Sequence, residues 1–311
     1  MSEYVAKLII IGSGPAGYSA GIYAARAGLE PIIISGFEIG GQLTMTASVE
    51  NFPGFIEPVS GTDLMEKMRT QALNFGVQII NDRVTEVDLS ARPFVLSTEN
   101  GNCCKTQSLI VATGASAKWL NIKTEKQYIG KGISTCATCD GFFYKNQPVA
   151  IVGGGNSAAI EALYLTRFAG KVYLIHRRDA LRADSILQQR LLQNPKIEIV
   201  WNSVIEEFIG GQNITGIKIK NVLTDERKTL DISGVFLAIG HTPNTELFKK
   251  YLTLDDDGYI LTKPKSTATN IEGVFAAGDV QDNAFRQAVI AVGSGAMAAI
   301  EAGRFLAAQD N

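Results

Sequence analysis

The sequence predicts an α/β protein that contains two Rossmann-like dinucleotide-binding units, each with a parallel sheet. Near the N-terminus a strand, a glycine-rich turn, a helix and a second strand follow one another, and the same order recurs near the middle of the chain. Short segments of alternating apolar and polar residues follow each of these two regions. A single glycine-rich turn is weak evidence, but two turns, each between a strand and a helix, predict the fold strongly.

The first unit begins with an apolar, β-branched strand at Lys7–Ile11. A small-residue helix is expected from Ala16 to about Arg26, and a buried strand at Pro31–Ser35. The turn between strand and helix is Gly12, Ser13, Gly14, Pro15, Ala16 and Gly17.

The second unit repeats this order with a strand at Pro148–Val152, a helix from Ala159 to about Phe168 and a strand at Lys171–Ile175. Its turn runs from Gly153 through Gly154, Gly155, Asn156 and Ser157 to Ala158. In both turns the first glycine forms the bend and the second lets backbone amides approach a pyrophosphate. The third position must be small so that helix and strand can pack, and Gly17 and Ala158 both satisfy this.

The alternating segments in 77–111 and 197–238 predict antiparallel meanders, one for each unit. Ala288 to Ala308 is expected to form a helix, in which Gly293 and Gly295 would allow close approach of a backbone or a ligand. The predicted meander strands are Val77–Ile80, Val84–Leu89, Phe94–Ser97 and Ser108–Val111, then Ile197–Val200, Val204–Ile209, Ile214–Ile219 and Val235–Ala238.

Charge and composition exclude several functional classes. The chain has 29 basic and 31 acidic residues, which argues against nucleic acid or an anionic membrane as the main partner. Four cysteines in 311 residues do not form a disulfide scaffold. The N-terminus lacks a signal-peptide pattern, and no apolar stretch approaches the ~20 residues that a membrane span needs. We therefore expect a soluble cytoplasmic protein.

The residues that follow the second strand of each unit distinguish the two nucleotide sites. His176, Arg177 and Arg178 follow Ile175, and Arg182 comes one turn later. Guanidinium groups match phosphate oxygens, so this unit is expected to prefer NADPH; a solvated charge cluster is the alternative. The first unit has Ser35, Gly36 and Glu38 instead, with no base nearby, which fits FAD. Glu38 itself either binds a ribose or is an ordinary loop carboxylate.

Cys136 and Cys139 form a CxxC pair shortly before the second unit. Such a pair forms half a zinc site or a redox disulfide. The other cysteines, Cys103 and Cys104, are adjacent and badly spaced for a second zinc pair, so a redox dithiol is favoured and these two are interpreted as strand fillers. Asp140 is placed either to exchange a proton with a thiolate or to cap a turn.

Together these motifs resemble the low-molecular-weight bacterial thioredoxin reductases, from Gly12 to about Leu306. The resemblance rests on both glycine turns, the CxxC-Asp-Gly segment, His176–Arg178 and these further segments: Gly40-Gly41-Gln42-Leu43, Glu50–Gly54, Ala112-Thr113-Gly114, Ala276–Val280 and Arg286-Gln287-Ala288.

The resemblance implies two domains of three-layer ββα type. Residues 1–115 and 247–311 would form a discontinuous FAD domain, and 116–246 an inserted NADPH domain that carries the CxxC pair. It also implies a homodimer. The implied FAD contacts include the first turn, Ser35, Gly36, Glu38, Gly40, Gly41, Gln42, Leu43, Asn51, Val84, Ala112, Thr113, Gly114, Gly278, Asp279, Arg286, Gln287 and Ala288. The implied NADPH contacts are Gly153, Gly155, Asn156, Ser157, His176, Arg177, Arg178, Arg182, Ile239 and Gly240.

By the same resemblance, hydride passes from NADPH to FAD, which then reduces the Cys136–Cys139 disulfide. Cys139 would face the flavin, Asp140 would handle the proton, and Cys136 would exchange with the disulfide of thioredoxin. The alternative is a flavoprotein that reduces another dithiol protein, such as a peroxidase-linked domain. That relative has an extra N-terminal dithiol domain, whereas this chain begins at the first strand, so thioredoxin is the expected partner.

Overall fold

The computed structural model describes residues 2–309. The strands are β1 (Glu3–Ile11), β2 (Ile32–Ile34), β3 (Gln78–Ile80), β4 (Val84–Asp88), β5 (Phe94–Thr98), β6 (Cys103–Val111), β7 (Ala115–Ala117), β8 (Ile133–Ser134), β9 (Pro148–Val152), β10 (Lys171–Ile175), β11 (Ile197–Val200), β12 (Ser203–Gly210), β13 (Ile214–Asn221), β14 (Arg227–Asp231), β15 (Gly234–Leu237), β16 (His241–Pro243) and β17 (Val274–Ala276). The α-helices are α1 (Pro15–Arg26), α2 (Gly61–Asn74), α3 (Ala137–Asp140), α4 (Asn156–Leu165), α5 (Ser185–Gln193) and α6 (Ala288–Gln309).

The chain divides into two compact units. Unit 1 comprises 1–116 and 242–311, and unit 2 comprises 117–241. The chain passes between them twice, and the two crossings pair with each other as strands β7 and β16. Unit 2 is therefore an insertion within unit 1.

Unit 1 is built on a mixed sheet of order β3-β2-β1-β6-β5-β4, with β17 also paired to β6. Strands β3, β2, β1, β6 and β17 run parallel, so their carboxyl ends lie at one edge. Helices α1, α2 and α6 pack on one face, where Tyr18, Ile33 and Ala298 are buried. The other face is covered by a second core that includes Phe94, Leu96 and Phe248.

Unit 2 contains a parallel sheet of order β11-β10-β9-β15-β8 and a separate antiparallel sheet β12-β13-β14. Helices α4 and α5 contribute to the core on one side of the parallel sheet, where Ala162, Leu165 and Leu191 are buried. The antiparallel strands contribute Phe208, Ile217 and Leu230 to a core on the other side. The predicted α/β class is confirmed, and a run of parallel strands carries each glycine turn. The sheet of unit 2 is parallel throughout, whereas the antiparallel strands β4 and β5 make the sheet of unit 1 mixed.

The predicted antiparallel meanders are partly wrong. Strand β3 pairs parallel with β2, and the end of β6 pairs parallel with β1. In unit 2, β11 pairs parallel with β10 and β15 with β9. The missed helices α2 and α5 explain β3 and β11, because each helix returns the chain to the same edge of its sheet and so makes the next strand parallel. Strands β6 and β15 each follow another strand and then pair with a central strand of the parallel part of the sheet. The exposed strand β14 was also missed.

Two helices differ from expectation. Helix α4 begins at Asn156, three residues before the predicted start, and ends at Leu165.

Helix α6 has 22 residues and a mean hydropathy of 1.4 over an 18-residue window, so the prediction that no apolar stretch approaches a membrane span is wrong. A third of that window is buried within the protein, and the core helix of a soluble protein passes the same test. The helix is therefore weak evidence for a membrane.

Candidate functional site

The first glycine turn joins β1 to α1 at the carboxyl edge of the unit 1 sheet. A Cβ at Gly17 would overlap the carbonyl oxygen of Gly12, and one at Gly12 would overlap that of Ala112. Above the turn the space is open, because a Cβ at Gly14 would meet nothing within 4 Å. Pro15 begins α1, and its first turn carries no acidic residue. The turn thus offers free backbone amides and the positive end of a helix to an anionic group.

Ser13 connects this turn to two neighbouring segments. Its hydroxyl donates to the carbonyl of Ser35 at 2.9 Å and accepts from the N–H of Gly40 at 3.1 Å. The residue is buried, so both bonds are shielded from water. Gly41, with φ +67°, approaches Gly14 so closely that a Cβ there would lie 3.3 Å from the Gly14 Cα. One serine therefore holds the turn, the end of β2 and the Gly40–Gly41 loop together.

The remaining residues assigned to FAD occupy several positions in unit 1. The Asn51 amide lies 3.4 Å from the Gln287 side-chain oxygen, so segments far apart in sequence meet here. Glu38 is exposed, and the Val84 side chain lies in the core. The other assigned residues follow strand ends or begin elements: Gln42 and Leu43 in the 3-10 turn Gly41–Met45, Ala112, Thr113 and Gly114 after β6, Gly278 and Asp279 after β17, and Arg286, Gln287 and Ala288 at the start of α6.

Asp279 is the most perturbed acid of this region. Burial raises the pKa of its carboxyl to about 6; the nearby Asp282 adds to the rise and Arg286 opposes it. Its neighbour Gly278 donates its N–H to the Ser294 hydroxyl at 2.8 Å. A buried carboxyl with a raised pKa, such as that of Asp279, is suited to hydrogen bonds with hydroxyl groups of a ligand.

Asn244 was missed by the sequence analysis. Its amide donates to the Thr113 carbonyl at 2.9 Å, and its own carbonyl accepts from the Thr113 hydroxyl at 2.8 Å. It also accepts from Ser116 at 3.1 Å. These bonds tie the segment after β6 to the returning chain in unit 1. No local pattern identifies them, because the partners are 131 residues apart.

The second glycine turn joins β9 to α4 in unit 2. A Cβ at Gly153 would lie 2.5 Å from the carbonyl oxygen of Ala238, whereas one at Gly155 would meet nothing within 4 Å. Asn156 is exposed at the start of α4, and its side chain accepts from the Asp184 N–H at 2.8 Å and donates to the Asp184 carboxylate at 3.1 Å. Ser157 is exposed beside it, and Ile239 and Gly240 follow β15. The space above Gly155 is therefore open, as is the space above Gly14 in the first glycine turn.

The basic segment after β10 separates into two kinds of residue. Arg177, Arg178 and Arg182 are exposed, and within the described residues their guanidinium groups form no ion pair. His176 is buried instead, with Nε2 3.0 Å from the Ala180 carbonyl.

The buried imidazole supports the loop that carries the arginines. A Cβ at Gly154 would overlap the His176 ring, so this middle position of the turn must also be glycine. The Arg182 N–H donates to the Gly154 carbonyl at 2.7 Å. The loop is thus fastened to the glycine turn, and its three exposed guanidinium groups have the geometry that phosphate oxygens match.

Cys136 and Cys139 form a disulfide at the start of α3, with Cα atoms 5.3 Å apart. Ser134, which the sequence analysis missed, accepts from the Cys136 N–H at 3.0 Å and donates to the Cys136 carbonyl at 3.3 Å. It lies two residues from the pair, and that spacing is the only sequence signal for it. Both cysteines are partly exposed residues.

Asp140 ends α3 directly after the disulfide. Burial raises the pKa of its carboxyl, although a hydrogen bond with Ser134 opposes the rise. Burial also raises the pKa of Tyr144 to about 12, and the charge of Asp140 contributes. An acid with a raised pKa beside a disulfide can hold a proton closer to neutral pH than an ordinary aspartate. Among residues 2–309, no cluster of His, Cys, Asp and Glu suited to a metal ion is present.

A redox disulfide and a dinucleotide turn in one unit, together with a second dinucleotide turn in the other, define a class of oxidoreductase. A family model described as pyridine nucleotide-disulphide oxidoreductase matches residues 6–295. Members of this family use a flavin and a pyridine nucleotide.

Similar proteins narrow the class. A thioredoxin reductase of Rickettsia bellii is 59% identical over 303 residues, covering 96% of this chain and 98% of its own. One of Coxiella burnetii is 52% identical, with 96% of each chain covered. The solved thioredoxin reductase of Streptococcus pyogenes superimposes with a TM-score of 0.94 at 38% identity, covering 99% of this chain and 100% of its own. The chain belongs to the thioredoxin reductases of the pyridine nucleotide-disulphide oxidoreductase family.

Proposed function

We propose that this oxidoreductase carries electrons from NADPH through FAD and the Cys136–Cys139 disulfide to the disulfide of a thioredoxin. The disulfide at the start of α3, in the same unit as the second glycine turn, is the observation that carries the proposal. The names of its relatives favour thioredoxin over another dithiol protein as the substrate.

FAD is assigned to unit 1 and NADPH to unit 2. The expected domains are 1–115 with 247–311 and 116–246, whereas the two units divide at 116/117 and 241/242. The open space above Gly14 and Gly155 supports a phosphate group at each turn. Bound FAD would supply the chemistry that accepts a hydride from NADPH and delivers two electrons to the disulfide.

The protein's own residues then perform the exchange. The sulfur of Cys136, as a thiolate, attacks one sulfur of the thioredoxin disulfide, whose other sulfur leaves and takes a proton. The sulfur of Cys139 then attacks Cys136 in this mixed disulfide, which releases reduced thioredoxin and restores the Cys136–Cys139 bond. Asp140, whose pKa is raised by burial, exchanges the proton with the Cys139 sulfur.

Selection of NADPH is assigned to the exposed side chains of Arg177, Arg178 and Arg182. Each can direct paired N–H donors at a 2′-phosphate, and none is held in an ion pair within the described residues. His176 is assigned to the site as the support of this loop, because its ring is buried.

Retention of FAD is assigned to Asp279 for the ribityl hydroxyls and to Ser13 for the geometry of the phosphate turn. The raised pKa of Asp279 supports this role, because ligand hydroxyls would supply the hydrogen bonds that a buried carboxylate requires. Gln42, Asn51, Arg286, Gln287 and Ala288 are assigned to the flavin ring.

A cytoplasmic homodimer is the proposed assembly. Apolar side chains on the outer face of α6 support a subunit contact, since Val289, Met297 and Ile300 are each more than two-fifths exposed. Light scattering of the purified protein would measure the assembly directly.

The defining experiment measures thioredoxin reduction by the purified flavoprotein with NADPH, and with NADH as the comparison. We expect thiols to appear in thioredoxin at the rate at which NADPH is consumed, and much more slowly with NADH. NADPH oxidation without thiol formation would contradict the assignment of thioredoxin. Reduction of a peroxidase-linked dithiol domain in preference to thioredoxin would favour the alternative substrate.

A further inference from the structure

The basic loop of unit 2, residues 176–184, ends on the second glycine turn. The backbone N–H groups of Arg182 and Ala183 both donate to the Gly154 carbonyl, at 2.7 and 3.1 Å. The Ala183 carbonyl in turn accepts from the side-chain amide of Gln188 at 2.7 Å. The side chain of Arg182 is exposed. The place of its guanidinium group therefore depends on how firmly this end of the loop is held.

Asp184 attaches the end of the basic loop to the start of α4. Its N–H donates to the Asn156 side-chain oxygen at 2.8 Å, and one oxygen of its carboxylate accepts from the Asn156 amide nitrogen at 3.1 Å. Asn156 is the first residue of α4 and directly follows Gly155, above which the space is open. Both residues of the pair belong to unit 2. The pair therefore joins the basic loop to the helix N-terminus that suits a pyrophosphate.

The Asp184 carboxylate has no role in capping the helix that follows it. Asp184 is the N-cap residue of α5, but its side chain accepts no hydrogen bond from the first turn of that helix. The residue is exposed, as is Asn156, so burial does not bring the two side chains together. A negative charge near a phosphate site weakens anion binding. Any favourable effect of Asp184 on such a site must therefore come from the geometry that it maintains.

NADPH needs that geometry more than NADH does. The 2′-phosphate and the pyrophosphate of NADPH are joined covalently, so the protein must hold two sets of donors at a matching separation. A loop that is already in position loses less conformational entropy when the ligand binds. NADH has no 2′-phosphate and would not use the arginines of the basic loop. Holding the loop in place therefore favours NADPH over NADH.

We infer that Asp184 is a positioning residue for the selection of NADPH. Through its bonds to Asn156 it holds the basic loop on the glycine turn, so that Arg182 meets the 2′-phosphate while the turn meets the pyrophosphate. This inference rests on the proposed function, in which the arginines recognise the 2′-phosphate. Asp184 does not contact the nucleotide and acts through Arg182.

The test compares Asp184→Ala with the wild-type holoenzyme by calorimetric titration with NADP⁺, which binds without reducing the flavin. Alanine keeps the backbone N–H at this position but removes the carboxylate that accepts from the Asn156 amide. We expect the Kd for NADP⁺ to rise about fivefold, which is in the range of one net hydrogen bond. The KM for NADH should change little.

Two control variants separate geometry from charge. Asp184→Asn keeps an oxygen acceptor for the Asn156 amide and should bind NADP⁺ at least as tightly as the wild type does. Asp179→Ala removes an equal charge from an exposed position of the basic loop and should not weaken binding.

A double-mutant cycle identifies the residue through which Asp184 acts. Arg182→Ala should raise the Kd for NADP⁺ by itself. Adding Asp184→Ala to Arg182→Ala should then raise it little further, because the contact that Asp184 supports is already lost.

An unchanged or lower Kd for NADP⁺ in Asp184→Ala would overturn the inference, and so would an equal loss of affinity in Asp184→Asn. If Asp184→Ala has its full effect in the Arg182→Ala background, or raises the KM for NADH equally, Asp184 acts on the pyrophosphate turn and the inference fails. An unchanged Kd in Arg182→Ala alone would instead contradict the proposed recognition of the 2′-phosphate, and the inference with it. The choice of thioredoxin as substrate does not affect these binding measurements.

Discussion

Asp279 should destabilise the flavin-free protein at neutral pH. Burial raises the pKa of its carboxyl from 3.8 to about 6. The native state therefore retains a proton that the unfolded chain has already lost, and the associated stability, complete below about pH 4, is lost as the pH rises through about 6. A difference of about two pKa units, at 1.36 kcal/mol per unit, corresponds to up to ~3 kcal/mol.

Asp279→Asn removes this penalty. We expect the flavin-free variant to exceed the wild type in free energy of unfolding by up to ~3 kcal/mol well above pH 6, and by little at about pH 4. Urea denaturation of the two proteins, followed by circular dichroism at both pH values, measures the difference. Asp256→Asn, an exposed substitution in unit 1, is the matched control and should show no such pH dependence.

The same substitution should weaken FAD binding, which titration of the flavin-free protein with FAD would measure by fluorescence. A variant that is no more stable than the wild type above pH 6, or that gains equally at both pH values, would refute the reasoning. Greater stability without the ligand and weaker binding of it are expected together, because a buried acid kept for ligand hydroxyls costs stability until they arrive.

Three further predictions concern the disulfide, the basic loop and the packing of α6. Cys139→Ser should allow NADPH to reduce the flavin but abolish disulfide reduction, as rapid-mixing absorbance would show. Cys103→Ser is the control. A flavin that stays oxidised in Cys139→Ser after NADPH is added would contradict the assignment. Arg177→Ala combined with Arg178→Ala should raise KM for NADPH at least about tenfold, because each lost charged hydrogen bond is worth about 1.5–3 kcal/mol. The KM for NADH should change little. Equal effects on both nucleotides, or a similar effect of the control Arg190→Ala on α5, would exclude recognition of the 2′-phosphate. Gly295→Ala should lower the free energy of unfolding by about 1–3 kcal/mol, because its Cβ would overlap the Ala16 carbonyl. Gly293→Ala in the same helix should raise it by about 0.5–1 kcal/mol, because its Cβ would meet nothing within 4 Å. A thermal unfolding temperature that changes in the same direction in both variants would refute this.

Local patterns were sufficient for the glycine turns and for the ends of the strands that precede them, although β1 begins at Glu3 and not at the predicted Lys7. The predicted bounds of β9 and β10 agree with the structure, because each is a short apolar run bounded by turn residues. Strand direction was less predictable. Residues 77–80 and 197–200 were assigned to meanders, although each follows a helix whose weak apolar pattern had not been recognised.

The candidate site divides in the same way. The CxxC pair and the arginines are recognisable because their chemistry depends on residue type and spacing. The support of His176 for its loop, the bonds of Asn244 to Thr113 and the bonds of Asp184 to Asn156 join residues that no local pattern connects. Their roles follow from burial and distance.

The sequence by itself determined the fold class, the two dinucleotide turns and the redox pair, because backbone conformation and thiol chemistry are local properties. Only the tertiary structure decided that His176 is buried while its arginine neighbours are exposed, that Asp279 has a raised pKa, and that Gly295 rather than Gly293 needs to be glycine. Each of these depends on which distant atoms come close and exclude water, and that proximity is established only when the chain is packed.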